Sequence, residues 1–401
     1  MTTENNNKKK TLRVGMIGYK FMGKAHSNAY RAMPMFFSDA PLQPEMAVLC
    51  GRNAAGAEEA RVQFGWQELE TDWRQVVARD DIDLIDINTP SDAHLEIAVE
   101  AARSGKHILC EKPLALTLAD SRTMLRAAEE AGVKHMTGFN YRFSPAVKLA
   151  KKLVEEGRLG KVHHFRARFL QDWLVDPEFP LVWRLKKEIA GSGAQSDLGA
   201  HLVDLARYLV GEFEEVIGMT ETFVKERPLP SEEGGQSGKD GTDQVQRGPV
   251  TVDDAAVFMA RFVDGALGSF EASRSAPGHR STNAFEINGS KGSLRFDFER
   301  MNELEVYFTD DAEDVQGFRR VLCTDEAHAY SEAWWPPGHT IGFEHTFTHE
   351  VLEFISAIAE DRQPSPSFVD GVKCQEVLEA VERSIEERRW VNLSEMAESG
   401  S

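Results

Sequence analysis

At 401 residues the chain is too long for one small core and suits two domains. Its 41% hydrophobic and 28% charged content is that of a folded globular protein, and a formal net charge of −19 excludes non-specific binding to nucleic acid or an anionic membrane, whose phosphates repel it. Cys50, Cys110, Cys323 and Cys374 stand far apart with no CxxC pair, no signal-peptide core follows Met1, and no apolar run reaches the ~18 residues of a membrane span. A disulfide framework, a cysteine zinc site and a membrane protein are thereby set aside, and the expected compartment is the reducing cytoplasm.

Residues 1–10 are polar and basic and read as a disordered tail. From there to residue 140, short apolar stretches alternate with amphipathic helices. Leu12–Ile17, Met46–Cys50, Asp83–Ile87, His107–Cys110 and Lys134–Gly138 are the predicted strands, with helices from Met22, around Ala57, Ala60 and Phe64, through Leu95–Ala101, and over Leu118–Ala131. Strands separated by helices cannot pair as hairpins, so a doubly wound parallel sheet of the Rossmann type is expected over 11–140.

The pattern changes at Tyr141. Ser144-Pro145 is a cap and first-turn pair opening a helix that ends at Gly157. Long strands then dominate: Val162–Gln171, Val216–Val224, Ala255–Val263, Ala266–Arg274, Asn283–Asn288, Ser293–Phe298 and Leu304–Phe308. They predict one large, mostly antiparallel open sheet flanked by helices over 141–395, with a mobile, glycine-rich loop at 231–249. Helices return at Phe343–Ala359 and Gly371–Arg388.

Three segments carry chemistry. Gly18-Tyr19-Lys20-Phe21-Met22-Gly23 leaves the first strand directly into a helix, a turn that aims backbone N–H groups and the positive helix end at a pyrophosphate; Lys20 stands where the usual fingerprint has its second glycine. The third strand exits through Asn88-Thr89-Pro90-Ser91-Asp92-Ala93-His94 at the same edge. The second strand ends Cys50-Gly51-Arg52-Asn53, without the acid that grips a ribose in NAD enzymes. Arg52 there suits a 2′-phosphate, so NAD or NADP is expected with a leaning to NADP; Arg52 lying over the adenine is the alternative. Glu111-Lys112-Pro113 leaves the fourth strand, placing a cation where it would stabilise an alkoxide, with a proline free to adopt a cis bond. Gly193-Ala194-Gln195-Ser196-Asp197 feeds a helix carrying His201 four residues on, so that a carboxylate and an imidazole are expected on one helix face.

In this order and spacing these motifs resemble the Gfo/Idh/MocA oxidoreductases, the group of glucose–fructose oxidoreductase and inositol dehydrogenase. The resemblance covers nearly the whole chain. It implies an NAD(P)-dependent enzyme moving a hydride to or from a sugar, cyclitol or glycoside, with Lys112 as active-site lysine, His201 as proton-transfer residue and Asp197 as its partner. Gly18, Gly23, Asn88, Thr89, Pro90, His94 and Glu111 would line the cofactor, with Lys20, Phe21 and Met22 beside them. It also implies a homodimer or homotetramer joined through outer sheet faces. Redox-assisted glycoside cleavage and a non-catalytic nucleotide-binding regulator are the other activities within its range. For the substrate, Tyr141 and Arg142 follow the last Rossmann strand, while Gln171, Trp173, Trp183 and Arg184 flank the Gly193 loop; indole faces with amide and guanidinium donors suit a polyhydroxylated ring, and core packing of the tryptophans is the alternative. His345 and His349 supply two ligands where a metal needs about three, so no metal is expected, and Trp334–Pro337 reads as a packed corner.

Overall fold

In the computed structural model, which describes residues 10–230 and 246–398, strands and helices alternate through the first third: β1 (Lys10–Ile17), α1 (Phe21–Phe36), β2 (Leu42–Cys50), α2 (Ala54–Phe64), β3 (Glu68–Glu70), α3 (Trp73–Val77), β4 (Leu84–Ile87), α4 (His94–Arg103), β5 (His107–Glu111), α5 (Leu118–Glu130) and β6 (His135–Gly138). The six strands pair in parallel in the order β3-β2-β1-β4-β5-β6. Strand order reverses between β1 and β4, which opens a crevice at their carboxyl ends. Alternation along the strands sends Ile85, Ile87, Ile108 and Cys110 to one apolar layer and Leu84, Leu109 and Met136 to the other. The tail expected over 1–10 falls outside the described residues except for Lys10, which already pairs with Leu42. The edge strand β3 was not foreseen: three residues are too short for a period to show.

Beyond β6 come α6 (Pro145–Glu155), β7 (Val162–Leu170), the short helices α7 (Lys187–Ala190) and α8 (Ala194–Asp197), α9 (Gly199–Leu209), β8 (Phe213–Glu221), β9 (Glu226–Pro228), β10 (Arg247–Pro249), β11 (Ala255–Phe262), β12 (Leu267–Ser273), β13 (Thr282–Gly289), β14 (Gly292–Asp297), β15 (Glu303–Phe308), β16 (Arg319–Leu322), α10 (Phe343–Ala359), α11 (Phe368–Glu387), β17 (Val391–Asn392) and α12 (Ser394–Glu398). Nine strands form one sheet in the order β16-β15-β14-β13-β7-β12-β11-β8-β17, antiparallel except for β7 beside β12. Its inner face buries Phe165, Phe258, Phe262 and Phe270, with the rings of Phe258 and Phe270 stacked 4.4 Å apart. Between Phe258 and Phe262, Met259 points outward and is 53% exposed, so the strand alternates cleanly.

Of the loop expected at 231–249, residues 231–245 lie outside the described residues. Arg247–Pro249 is not loop but a strand paired with β9. Gly248 lies against Leu181 and Leu229 there, and Arg247 reaches Glu178, contacts that a local reading of glycine content does not carry. Two late helices return to the first sheet. α10 packs along α1, with Phe347, Val351 and Phe354 in the same apolar layer as Tyr30 and Met33. α11 spans both halves: Glu379 accepts from the Leu118 N–H and Ser384 Oγ from the Gly218 N–H. Among the described residues no helix is long and apolar enough to cross a membrane.

Candidate active site

After β1 the chain turns at Gly18 with φ +104°, a left-handed value that favours glycine. A Cβ there would stand 2.5 Å from the Asn88 carbonyl oxygen, and one on Gly23 would stand 2.3 Å from that of Gly18. The two glycines therefore let α1 close onto the switch point. Lys20, at the N-cap of α1, makes no side-chain cap and no acid follows in the first turn, so the helix start is left for an anion. It faces a cavity of about 670 Å³ bordered by Lys20, Phe21, Met22, Arg52, Asn88, Thr89 and Pro90. Asn88 Oδ1 and Thr89 Oγ1 are buried there without a hydrogen-bond partner, polar atoms that a bound polar ligand would satisfy. A glycine turn, an open helix N-terminus and unspent polar atoms fit a dinucleotide.

On the far side of the cavity Lys112, directly after β5, meets residues of the second half. Lys112, behind a cis Lys112–Pro113 peptide, donates from Nζ to Asp197 O at 2.8 Å and to Asp197 Oδ1 at 3.0 Å. Asp253 holds the loop that presents Asp197: its carboxylate accepts from the N–H groups of Gly193 (2.7 Å) and Gln195 (2.9 Å). A Cβ on Gly193 would fall 1.7 Å from the Asp253 carbonyl oxygen, so this approach requires glycine. Arg274, fully buried after β12, lies 3.8 Å from Asp197 Oδ2 and donates to Asp253 O at 3.0 Å. Burial pushes the Asp197 carboxyl up, but Lys112, Arg274 and Arg184 outweigh it and hold it well below the usual carboxylate range. His201 is walled by Phe139, Tyr141 and Phe169, with ring centroids 6.3, 4.6 and 5.8 Å away. Burial first, then Lys112, pushes its imidazole well below the ordinary histidine value, with Asp197 opposing. The ring is thus neutral near pH 7 and able to accept a proton.

Residues 12–139 match the oxidoreductase family model with an NAD-binding Rossmann fold, and residues 147–295 match the GFO/IDH/MocA C-terminal domain. This chain belongs to the Gfo/Idh/MocA family. Levoglucosan dehydrogenase of Pseudarthrobacter phenanthrenivorans is 46% identical over 96% of this chain and 99% of its own; a solved levoglucosan dehydrogenase in complex with NADH, also 46% identical, superposes with a TM-score of 0.90 over 96% and 99% of the two chains. An oxidoreductase domain protein of Kribbella flavida is 52% identical with a TM-score of 0.90, covering 96% and 99%. Myo-inositol 2-dehydrogenase of Thermotoga maritima is 28% identical over 96% of this chain and 99% of its own. As a Gfo/Idh/MocA protein this chain is an NAD-dependent oxidoreductase acting on CH–OH groups of sugars or cyclitols. The NADP leaning drawn from Arg52 finds no support in these relatives.

Within this Gfo/Idh/MocA site several expected residues take other positions. Asp197 and His201 do not share one helix: the chain breaks at Leu198 between α8 and α9, and Asp197 turns to Lys112 and makes no hydrogen bond to His201. Arg142 does not reach the cavity. It is 2% exposed, its Nη2 is 2.6 Å from Asp204 and 3.0 Å from Asp370, and the pairing that permits its burial leaves little for a substrate. His94 is buried and ties two loops together, one ring nitrogen 3.0 Å from the Thr89 carbonyl and the other 3.1 Å from that of Pro113, so it shapes the cofactor edge without lining it. Glu111 borders the cavity but turns its carboxylate inward. Trp183 and Arg184 do line it, the guanidinium 4.3 Å from the indole centroid. Trp173 and Gln171 bond one another at 2.9 Å beside Phe179 and Arg274, behind that wall. His349 accepts from the Trp334 indole at 2.6 Å and contacts the Phe143 carbonyl at 2.9 Å, as a packed corner requires. Arg274 and Asp253 escaped the sequence reading. The available signal was an arginine closing an apolar alternating strand, where a surface position is the ordinary expectation.

Proposed function

We propose that this chain oxidises a ring hydroxyl of a compact anhydrosugar, levoglucosan first among candidates, with NAD preferred to NADP. The 46% identity to levoglucosan dehydrogenase over nearly all of both chains supports the substrate. The observation that carries the chemistry is the Lys112–Asp197 contact across the two halves, 3.0 Å long, beside a neutral His201. An ammonium has three N–H donors. Two go to Asp197, and the third is left for a substrate oxygen.

In this reading the C–H bond releases a hydride while the O–H proton passes to His201, and the C=O bond forms under the charge of Lys112. Bound NAD supplies the hydride acceptor. Asp197, fixed by Asp253 and Arg274, holds the lysine in place. Trp183 offers an apolar face to the sugar and Arg184 a donor. Arg52, on the cavity rim, would meet the adenosine portion of a bound nucleotide. Residues 11–140 serve the dinucleotide and 141–395 the substrate and subunit association. The outer face of the nine-stranded sheet, with Met219, Val257, Met259 and Leu267 exposed, joins copies into a dimer or tetramer in the cytoplasm.

The test is incubation with NAD or NADP and a panel of monosaccharides, cyclitols, anhydrosugars and glycosides, following absorbance of reduced nicotinamide. Reduction of NAD with levoglucosan is expected. Faster turnover of a cyclitol or glycoside would move the substrate assignment, and no reduction on any member would overturn it.

A further inference from the structure

Behind the cavity, one imidazole is fully buried between two carboxylates. α1 places His26 and Tyr30 one turn apart on its sheet-facing side. On β4, Asp86 stands two residues from the apolar Leu84 and so points to the same layer; Glu111, two residues from Leu109, does so at the end of β5. His26 Nδ1 lies 3.0 Å from Asp86 Oδ2 and its Nε2 lies 3.1 Å from Glu111 Oε1. His26 and Asp86 are both 0% exposed. Two carboxylates at hydrogen-bond distance from both nitrogens favour the doubly protonated ring, and they outweigh the opposing effect of burial, raising His26 well above the ordinary value. Tyr30 donates to Asp86 at 2.9 Å, the Phe347 ring of α10 lies 5.4 Å away, and Glu350 of α10 faces the cluster.

Both ends of this arrangement reach the cavity. Asn88 Nδ2 donates to Asp86 Oδ1 at 2.8 Å, and the Lys112 backbone N–H donates to Glu111 Oε2 at 3.1 Å. A continuous hydrogen-bonded chain therefore runs from Asn88, whose free Oδ1 looks for a partner, through Asp86, His26 and Glu111 to the backbone of Lys112.

We propose that His26 is a positioning residue of the hydride-transfer site, tying the Asn88 loop that meets the dinucleotide to the backbone that carries Lys112. It acts through Asp86 on one side and Glu111 on the other, and touches neither substrate nor cofactor. The inference rests on the roles proposed for Asn88 and Lys112. Its physical basis is that a salt-bridged imidazolium fixes two loops by four charge-assisted hydrogen bonds in a site closed to water, whereas apolar packing alone would let each loop settle independently.

The experiment compares His26→Gln, Glu111→Gln and the double variant with Ser27→Ala, a neighbour on α1 whose hydroxyl bonds Gly23 O and the Trp66 indole outside the chain. Thermal melting, the dissociation constant for NADH by fluorescence, and kcat and KM for the sugar are measured. His26→Gln is expected to lower kcat about tenfold and weaken NADH several-fold with the sugar KM within twofold. Glu111→Gln should lower kcat alike, and the double variant should fall no further than the worse single, since both cut one link. Ser27→Ala should lose stability yet keep kcat and NADH affinity within twofold. Wild-type kcat and NADH affinity in a folded His26→Gln protein, losses that multiply in the double variant, or a Ser27→Ala protein as impaired as His26→Gln would each overturn the proposal. Should His26→Gln fail to fold, a Glu111→Gln protein with unaltered kcat overturns it in the same way. If the wild-type protein reduces no NAD with any sugar, the functional reading fails, while the NADH dissociation constants still report on the link from His26 to Asn88.

Discussion

Replacing Lys112 by methionine keeps most of the unbranched side chain and removes its charge. In the structure the lysine side chain is 13% exposed and its ammonium spends two donors on Asp197. A unit charge about 3 Å from a developing alkoxide, at an effective dielectric near 20, is worth roughly 5 kcal/mol. Only part of that is realised, because the alkoxide charge is incomplete in the transition state and Asp197, 3.0 Å from Nζ, offsets the cation. Loss of a single oxyanion donor elsewhere costs about 2.7–4 kcal/mol, so kcat should fall by about 10²–10³. A second consequence has a definite sign. Lys112 pushes the His201 imidazole down and Asp197 pulls it up. Burial, the larger effect, stays after the lysine is removed, but one of the two downward pushes is gone while the carboxylate still pulls up, so His201 should become protonated at a higher pH than in the wild type and the acid limb of the kcat profile should move upward. Steady-state kinetics with NAD from pH 5 to 9, with NADH binding measured alongside, reads both effects. A folded Lys112→Met protein that binds NADH and retains kcat within threefold, or whose acid limb moves downward, would refute the assignment.

In the wild-type protein His201 is already neutral, so kcat for oxidation should show no loss from its protonation between about pH 7 and 8, and His201→Ala should cost about 10²–10⁴ in kcat for want of a proton acceptor. Glu350 is buried with both carboxylate oxygens unpartnered, and burial raises its acid well above the usual range. The folded chain thus keeps a proton that the unfolded chain releases above about pH 4.3, and this group lowers stability by about 1.4 kcal/mol per pH unit from there up to its folded pKa. Urea denaturation of Glu350→Gln should show a gain over wild type that grows as pH rises, and equal slopes would contradict this. Arg142→Met strands Asp204, whose carboxyl burial already pushes up to about 6 against the pull of Arg142. A loss of about 3–5 kcal/mol by denaturant titration is expected, with the sugar KM unchanged because the arginine does not face the cavity.

Much of the fold was legible because its period was long enough to count. The alternation of Ala256, Phe258, Ala260 and Phe262 marked β11, and the Gly18 turn, the Glu111-Lys112-Pro113 exit and the Gly193 loop fixed the rims of the cavity from local patterns alone. What escaped depended on partners distant in sequence. Arg142 read as a pocket residue because an arginine is rarely buried, and only the fold shows that Asp204 and Asp370 come to it. Asp197 and His201 read as helix neighbours because spacing sees four residues and not the break at Leu198. The His26 cluster gave no local signal, and the arginine closing β12 read as a surface position, since each draws its meaning from carboxylates that arrive from distant segments.

The return of α10 to the first sheet has a bearing on how this molecule comes apart. Phe347, Val351 and Phe354 complete a layer that begins with Tyr30 and Met33. An amino-terminal fragment ending at Gly138 would therefore expose a bare greasy flank, and would be expected to aggregate rather than stand alone as a nucleotide binder. The last third of the chain acts as a stitch through both lobes, so that the polypeptide must be nearly complete before its earliest segment is fully covered.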